Sequence, residues 1–437
     1  MKLSLLAFIA LALTLTLYIV NANFETEVST ETPLGRIVGI KRGKVVSYLG
    51  VPFAEPPIGY FRFRPPRSKR PWAPNTYYAT RYSAECLQSA LYSLSDGRGE
   101  RDEDCLYLNI WVPANYNPKN GPLPVLLWIY GGAFLQGAAS KPEYVGDKLA
   151  DRGVIVVSCN YRLGALGFLV STQDGLYGNY GLSDQKLAMQ WVQDNIESFG
   201  GDPSRVTLFG ESAGAMSIGL HFLDQEVPKK PKLFHAIILQ SNPFGYKYRS
   251  ITVANFLGES FKSQLDCEDL RCLQSEPADE ILHVQDTLLA VPRSIGDFFT
   301  WGPVITDDAQ YRREVRQNPP GSLSNITVMQ PMRALQEIFR SDVPVILGTN
   351  SNEGAVFIYT AVPARVNRVF YETSLFGFFR GYNQQINKLY RQSLLRVEKS
   401  PNPDYREVLA EIIGDYLFRC PNYHAASLLH TVGSAQY

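Results

Sequence analysis

The sequence has 437 residues, of which 45% are hydrophobic and 19% charged, and its 42 basic side chains balance 42 acidic ones. This composition excludes a disordered, collagenous or coiled-coil protein. A formal charge of zero gives no reason to expect nucleic acid or an anionic membrane as a partner, because both require a basic surface. The length fits two or three domains, or one large α/β unit.

The N-terminus has the features of a secretory signal peptide. Lys2 precedes an apolar run over residues 3–20, and a Val-x-Ala cleavage sequence ends at Ala22. We predict that residues 1–22 are removed and that residues 23–437 form one secreted, extracellular domain. An uncleaved signal anchor is the alternative, since the apolar run is slightly long. No later stretch has the roughly 18 apolar residues of a membrane span, so none is expected after signal removal.

A secreted location permits disulfides, and six cysteines are present. Two pairs flank short polar or acidic loops and are predicted to form local disulfides: Cys86 with Cys105, and Cys267 with Cys272. Cys159 lies in an apolar run and is predicted to be a buried free thiol, which leaves Cys420 without a partner. No cysteine or histidine spacing indicates a metal site.

One sequon for N-glycosylation is present, Asn325-Ile326-Thr327. It lies in a stretch rich in Pro, Gly and Ser, which is typical of a surface loop. Asn325 is therefore the predicted glycosylation site.

The apolar pattern predicts an α/β fold. Short β-branched runs over residues 32–54 predict an N-terminal antiparallel meander. Helical periodicity over residues 184–199 and the aromatic-rich, weakly periodic segment 245–340 predict helices, the latter as insertions over the edge of the sheet. Five continuous apolar runs predict buried, mostly parallel strands of one large central sheet: Val125–Tyr130, Val154–Ser158, Val206–Phe209, Ala236–Leu239 and Val343–Leu347.

The segment Gly210-Glu211-Ser212-Ala213-Gly214 joins a predicted strand to a predicted helix. A serine forced into such a tight turn needs small neighbours, which the two glycines provide. The pattern alone also arises by chance, but its place at a strand-helix junction favours a catalytic serine. Ser212 is the candidate nucleophile.

A serine nucleophile needs hydrogen-bond donors for the oxyanion that forms in acyl transfer. The glycine-rich turn Gly131–Phe134 follows a predicted strand and exposes backbone N–H groups. We predict an oxyanion hole made by the N–H groups of Gly132, Ala133 and Ala213. In isolation, a plain structural turn would be the simpler interpretation of this motif.

The acid of a triad is expected on a loop after a later strand, in the chain order Ser, Asp or Glu, His. Glu353 lies on the polar loop that follows the predicted strand Val343–Leu347 and is the candidate. Asp307 and Asp308 are weaker alternative acids. The alternative interpretation of Glu353 is a solvated turn carboxylate without a catalytic role.

Five further segments precede the serine motif, in the following chain order: Glu103–Ile110, Gly131–Phe134, Asn160–Gly164, Gly178–Gln185 and Phe199–Pro203. Together with the Ser212 motif they resemble the type-B carboxylesterase and cholinesterase family, from about Thr32 to the end of the chain. The resemblance implies an α/β-hydrolase fold, secreted ester hydrolysis and no cofactor. It supports both disulfide pairs and implies two structural ion pairs: Arg62 with Glu103, and Arg162 with Asp184.

The resemblance also predicts parts that the sequence does not contain. In the family the catalytic histidine follows the segment similar to residues 420–424, so here it is expected beyond residue 437, as is the cysteine that pairs with Cys420. We therefore interpret the chain as incomplete at its C-terminus, without the closing elements of the fold, and expect it to be inactive as it stands. His424 and His430 follow Glu353 but match no catalytic position of the family.

The sequence gives little indication of which substrate is preferred. Cholinesterases have a Trp in the first disulfide loop that binds a quaternary ammonium, and residues 87–104 contain none, which disfavours a choline ester. Phe298, Phe299 and Trp301 lie where the family has acyl-pocket aromatics, so a small-molecule ester with a small or medium acyl group is predicted. Core packing is the alternative role of these aromatics. The alternative function is a catalytically inactive, cholinesterase-like adhesion protein.

Overall fold

The computed structural model describes residues 25–89, 100–224, 232–289, 300–306, 309–317, 328–337 and 343–431. Several sequence predictions fall outside these ranges and stay predictions. They concern the signal peptide of residues 1–22, Phe298, Phe299, Asn325, and the alternative acids Asp307 and Asp308.

A mixed sheet of ten strands forms the centre of the described chain, and its strand order is β1-β2-β3-β7-β9-β8-β12-β13-β14, with β4 paired to β2. Two small two-stranded sheets accompany it, β5 with β6 and β10 with β11. The strands are β1 (Thr26–Thr32), β2 (Gly35–Arg42), β3 (Val45–Pro52), β4 (Thr76–Tyr78), β5 (Glu85–Cys86), β6 (Arg101–Asp102), β7 (Tyr107–Pro113), β8 (Leu123–Ile129), β9 (Ile155–Cys159), β10 (Val170–Ser171), β11 (Leu176–Tyr177), β12 (Gly201–Glu211), β13 (Ala236–Gln240) and β14 (Val345–Gly348).

The sheet confirms both strand patterns expected from the sequence. β2 and β3 pair antiparallel, as predicted for a meander over residues 32–54, and β1 and β7 extend this antiparallel pairing beyond the predicted range. The five strands from β9 to β14 in the sheet order pair parallel. β12 begins earlier than predicted because Gly201 already pairs with Leu123 of β8, ahead of an irregularity before Val206. A sequence pattern does not show such long-range pairing.

The described helices surround this sheet. They are α1 (Asp147–Ala150), α2 (Gly164–Phe168), α3 (Tyr180–Asn195), α4 (Ala213–Leu223), α5 (Ile251–Gln264), α6 (Leu270–Ser275), α7 (Ala278–Leu289), α8 (Ala309–Gln317), α9 (Pro331–Glu337), α10 (Ala355–Ala361), α11 (Arg368–Phe379), α12 (Asn383–Leu389), α13 (Arg391–Glu398), α14 (Arg406–Gly414) and α15 (Cys420–Thr431). Helices α5 to α9 confirm the predicted helical insertions. The whole is an α/β-hydrolase arrangement, as the sequence indicates.

Helix α3 begins at Tyr180, four residues before the predicted start, and its first turns are buried on every side. An ion pair inside the protein lies in this buried part of the helix. Arg162 donates from Nη2 and Nε to the two carboxylate oxygens of Asp184 at 2.7 and 2.8 Å, and both side chains are almost fully buried. This pair joins the loop after β9 to α3, as the family resemblance implies.

The other covalent and ionic links expected from the sequence are also present. Disulfides join Cys86 to Cys105 and Cys267 to Cys272. Arg62 pairs with Glu103, with Nε to Oε1 at 2.7 Å. Two free thiols occur among the described cysteines, the buried Cys159 and the exposed Cys420, and burial raises the pKa of Cys159 to about 12. Both are as predicted.

A search of the described ranges for a helix with the length and hydropathy of a membrane span finds none.

The first testable prediction concerns the buried ion pair. Asp184→Asn should lower the free energy of unfolding by about 3 kcal/mol or more, because it leaves the Arg162 guanidinium buried without a countercharge. The measurement is chemical denaturation. The control is Glu31→Gln, which breaks the exposed pair with Arg36 and should cost less than about 1 kcal/mol. Equal losses in the two variants would contradict this account of the pair.

Candidate active site

Ser212 lies in a strained turn between β12 and α4. Its backbone angles are φ 54° and ψ −122°, a conformation that a residue with a side chain rarely adopts and that costs roughly 1–3 kcal/mol. The surrounding backbone holds it there: the N–H of Ser212 donates to Gln240 of β13 at 3.0 Å, and the N–H of Met216 donates to the carbonyl of Ser212 at 2.8 Å. Strain maintained in this way is common at functional sites.

The two glycines of the motif are required by the neighbouring strand β8. A Cβ added at Gly210 would lie 2.5 Å from the carbonyl oxygen of Ile129, and one added at Gly214 would collide with the same oxygen. The turn is therefore packed directly against the end of β8. Small neighbours around the serine are needed for backbone contact between two strands.

The predicted oxyanion turn follows β8 and contacts the serine. A Cβ at Gly131 would lie 3.0 Å from the Cβ of Ser212. Gly132, Ala133 and Phe134 all have positive φ angles, of 112°, 58° and 61°. The carbonyl of Gly132 accepts from the N–H groups two and three residues beyond Ala133, at 3.0 and 3.1 Å, which closes the turn. The N–H groups of Gly132 and Ala133 take no part in these internal bonds of the turn.

The three predicted oxyanion donors lack an acceptor in the part of the chain that the structure describes. Within the described residues, the N–H groups of Gly132, Ala133 and Ala213 make no hydrogen bond. For Ala213 this follows from its position as the first residue of α4, whose N–H has no partner in the helix. Unpaired donors in a partly buried region favour a negatively charged or carbonyl ligand.

Glu353 lies on the loop between β14 and α10 and is buried, with 8% of its surface exposed. Its Oε1 accepts from the Ser241 hydroxyl at 2.8 Å and from the Asn350 N–H at 2.5 Å. The loop is pressed against α14, since a Cβ at Gly354 would collide with the carbonyl oxygen of Ala410. Glu353 is thus a fixed, buried carboxylate rather than a solvated turn residue.

Ser241 is a site residue that the sequence analysis missed. It directly follows β13, has φ 51°, and donates its N–H to the carbonyl of Gly348 at 2.8 Å. The Asn350 amide also donates to its hydroxyl at 3.2 Å. The available signal was its position at the carboxyl end of a predicted parallel strand, the edge where sites of α/β sheets form.

No histidine hydrogen-bonds to Glu353 within the described residues, where its partners are Ser241 and Asn350. His221 is fully buried and bonds to Gln185. His235 precedes β13, at the opposite edge of the sheet from Ser212, which follows β12. His283 is exposed on α7, and His424 and His430 are exposed on α15. The described residues therefore bring together the candidate nucleophile turn, donors and acid loop, but not a base.

The residue before the serine, Glu211, has a perturbed pKa. Burial raises the pKa of Glu211 above its ordinary value, and the negative charge of Glu353 raises it further, while Lys141 acts in the opposite direction. Burial in turn lowers the pKa of Lys141. A cluster of charges thus surrounds the serine turn, and titratable groups with shifted pKa values are frequent at catalytic sites.

Trp301, predicted to line a substrate pocket, is 2% exposed. It packs edge-on against Phe261, with ring centroids 5.4 Å apart, in an apolar cluster that Ala133 and Leu87 also contact. This cluster supports the oxyanion turn from its apolar side. The contact with the turn is consistent with a role near the acyl group, and the burial is consistent with core packing.

Comparison with known proteins identifies the family. The family model described as "Carboxylesterase family" matches residues 25–437. The chain belongs to the carboxylesterase family. The resemblance deduced from the sequence motifs is therefore confirmed.

Three relatives of this carboxylesterase-family chain show how far the likeness extends. It is 38% identical over 405 residues to the "Crystal protein" of Dictyostelium discoideum, covering 89% of this chain and 67% of that protein. It is 35% identical over 414 residues to the "cAMP-regulated D2 protein" of the same organism, covering 93% and 71%. It is 34% identical over 438 residues to the "Cholinesterase" of Mus musculus, covering 92% and 67%. The chain thus spans about two thirds of these relatives' length.

The second testable prediction follows from the raised pKa of Glu211. In the unfolded chain this carboxyl has its ordinary pKa of 4.5; in the folded chain the pKa is higher, so the native state binds the proton more tightly. The stabilisation that results is complete below pH 4.5 and is lost as the pH rises through the folded-state pKa. Glu211→Gln should therefore raise the unfolding temperature relative to wild type at pH 7.5, with a smaller difference at pH 4.

Thermal unfolding at both pH values measures this effect. The control is Glu27→Gln, an exposed carboxylate on β1, which should leave the difference between the two pH values unchanged. A Glu211→Gln protein that is less stable than wild type at pH 7.5 would show that ionised Glu211 is stabilising, against the prediction.

Proposed function

We propose that this protein is a secreted serine carboxylic ester hydrolase that acts through an acyl-enzyme on Ser212. The observation that carries the proposal is the strained serine turn with the donors of Gly132, Ala133 and Ala213 beside it, unpaired among the described residues. Family membership supports ester hydrolysis as the reaction class. Secretion is supported by the predicted signal peptide and by two disulfides.

The proposed reaction has two halves. The Ser212 hydroxyl loses its proton to a base and attacks the ester carbonyl carbon, and the carbonyl oxygen becomes an oxyanion bound by the three N–H groups. Collapse of this intermediate expels the alcohol, which takes the proton back from the base. Water then attacks the acyl-enzyme in the same way and releases the carboxylic acid. The proposal needs no cofactor.

Glu353 is proposed as the carboxylate that orients the base and stabilises its protonated form. Its fixed position, set by Ser241 and Asn350, suits that role. The base of the proposal is a histidine that the family resemblance assigns to a segment beyond residue 437. In such a site each oxyanion donor contributes about 10²- to 10³-fold to the rate.

The proposed substrate is an uncharged small-molecule ester with a small or medium acyl group. The apolar cluster around Trp301 and Ala133 provides an apolar wall beside the oxyanion turn, and Phe299 is the further proposed pocket residue. The absence of Trp from residues 87–104 disfavours a choline ester.

A second candidate function is binding or adhesion without catalysis. It is favoured by the absence, within the described residues, of a histidine bonded to Glu353. One relative has a name that states no reaction, the "Crystal protein". The intact serine turn with its unpaired donors favours the hydrolase.

The third testable prediction is the loss of activity in Ser212→Ala. In the natural secreted protein, hydrolysis of p-nitrophenyl butyrate should fall by about 10³-fold or more, because the nucleophile is removed. The matched control is Ser204→Ala, an exposed serine that bonds to Asp202 in the turn within β12, and its rate should equal that of wild type. Equal hydrolysis by Ser212→Ala and wild type would refute the assignment, and a wild-type protein without any turnover would favour the binding function.

A further inference from the structure

A line of buried polar groups connects α3 to the first turn of α4. The residues are Gln185, Ser217, His221 and Ala213, and each of them is 0% exposed. The Ser217 hydroxyl lies 2.9 Å from the carbonyl oxygen of Ala213, and the Gln185 Nε2 lies 3.0 Å from the Ser217 hydroxyl. The His221 Nε2 lies 2.9 Å from the Gln185 Oε1. Ala213 is the residue after the candidate nucleophile.

The donors and acceptors of this line can be assigned in one direction. A carbonyl oxygen only accepts, so the Ser217 hydroxyl donates its hydrogen to Ala213. Ser217 can then only accept from Gln185, so the amide NH₂ of Gln185 faces Ser217 and its Oε1 faces His221. That oxygen is again only an acceptor, so His221 carries its hydrogen on Nε2. Each bond fixes the polarity of the next.

The state of His221 maintains this direction. Burial lowers the pKa of His221 to about 3, and the charge of Lys186 lowers it further, so the ring is neutral at any pH at which an ester hydrolase works. Its Nδ1 has no hydrogen-bond partner among the described residues. A hydrogen on Nδ1 would therefore be buried and unsatisfied, which costs about 1–3 kcal/mol. If the direction of these hydrogen bonds were reversed, the Ser217 hydroxyl would also no longer donate to the carbonyl of Ala213.

The line ends on a residue whose geometry matters for the reaction. The N–H of Ala213 is one of the three donors without an acceptor in the described chain, and the strained φ of Ser212 beside it favours relaxation of the turn. Apolar side chains could fill the same space without any polar cost. The hydrogen bonds of this buried polar line, in contrast, are satisfied in one direction only. The line therefore specifies one arrangement of the backbone at its end.

We propose that Gln185, Ser217 and His221 are positioning residues that hold Ala213 in the orientation its N–H needs for the oxyanion. This inference rests on the proposed function, because it assigns a role in ester hydrolysis to residues that touch neither substrate nor nucleophile. They act on the transition state through Ala213. Their loss should therefore lower kcat and leave KM nearly unchanged.

The test uses the natural secreted protein and p-nitrophenyl butyrate. Ser217→Ala removes the bond to Ala213, and Gln185→Leu interrupts the line at its centre. In each variant kcat should fall by about 10-fold or more, since small displacements of reacting groups have effects of this size, with KM within about twofold of wild type. Binding of a trifluoromethyl ketone, which forms an oxyanion on the serine, should weaken by the same factor as kcat.

Two further variants separate positioning from folding. His221→Leu should lower kcat, and His221→Gln should restore it, because an amide N–H can also donate to Gln185. The matched control is Gln193→Leu on the same helix. Gln193 donates to the carbonyls of Pro203 and Leu233 at 2.9 and 3.2 Å, and both bonds are partly buried. Its loss therefore also removes two hydrogen bonds but should leave kcat unchanged.

The outcomes distinguish the two proposals. An active wild type with unchanged kcat in Ser217→Ala and Gln185→Leu would overturn the positioning role alone, as would an equal loss of kcat in Gln193→Leu. A wild type without turnover, and inert to a fluorophosphonate, would overturn the proposed function and the positioning role with it. A fall in kcat and in trifluoromethyl ketone affinity, with rescue by His221→Gln, would support the proposal.

Discussion

The candidate site depends on one close contact, between the end of β8 and the turn that follows β12. The carbonyl of Ile129 lies where any Cβ on Gly210 or Gly214 would collide with it. The chain turns sharply directly after β12, and Ser212 takes a positive φ there. The same contact places the turn after β8 beside the serine. The candidate nucleophile and the predicted donors thus lie next to each other at this one contact.

Buried polar contacts keep the neighbouring loops in place around this contact. Arg162 and Asp184 fix the start of α3, and Ser241 with Asn350 fixes the carboxylate of Glu353. Arg162, Ser241, Asn350 and Glu353 each lie on a loop that follows a parallel strand of the central sheet, at the edge where α/β sheets carry their sites. The cost is electrostatic: partial burial raises the pKa of Glu211, and the negative charge of the buried Glu353 raises it further.

The sequence predicted the parts of the site that have a local pattern. Apolar runs predicted the five parallel strands, and glycine spacing predicted the Ser212 turn, since both depend on residues adjacent in the chain. The ends of β12 and α3 were not predicted, because they depend on the distant partners Leu123 and Arg162. Ser241 and the line from His221 to Ala213 were missed for the same reason: single serines, glutamines and histidines acquire meaning only from contacts between distant segments.

The most direct test of the central claim is mass spectrometry of the natural protein after reaction with a fluorophosphonate. This reagent phosphonylates a serine only where the hydroxyl is activated and an oxyanion site is formed. The account predicts one modified peptide, carrying the label on Ser212. An unlabelled protein, or a label on any other serine, would contradict the view that the strained turn between β12 and α4 is a catalytic site.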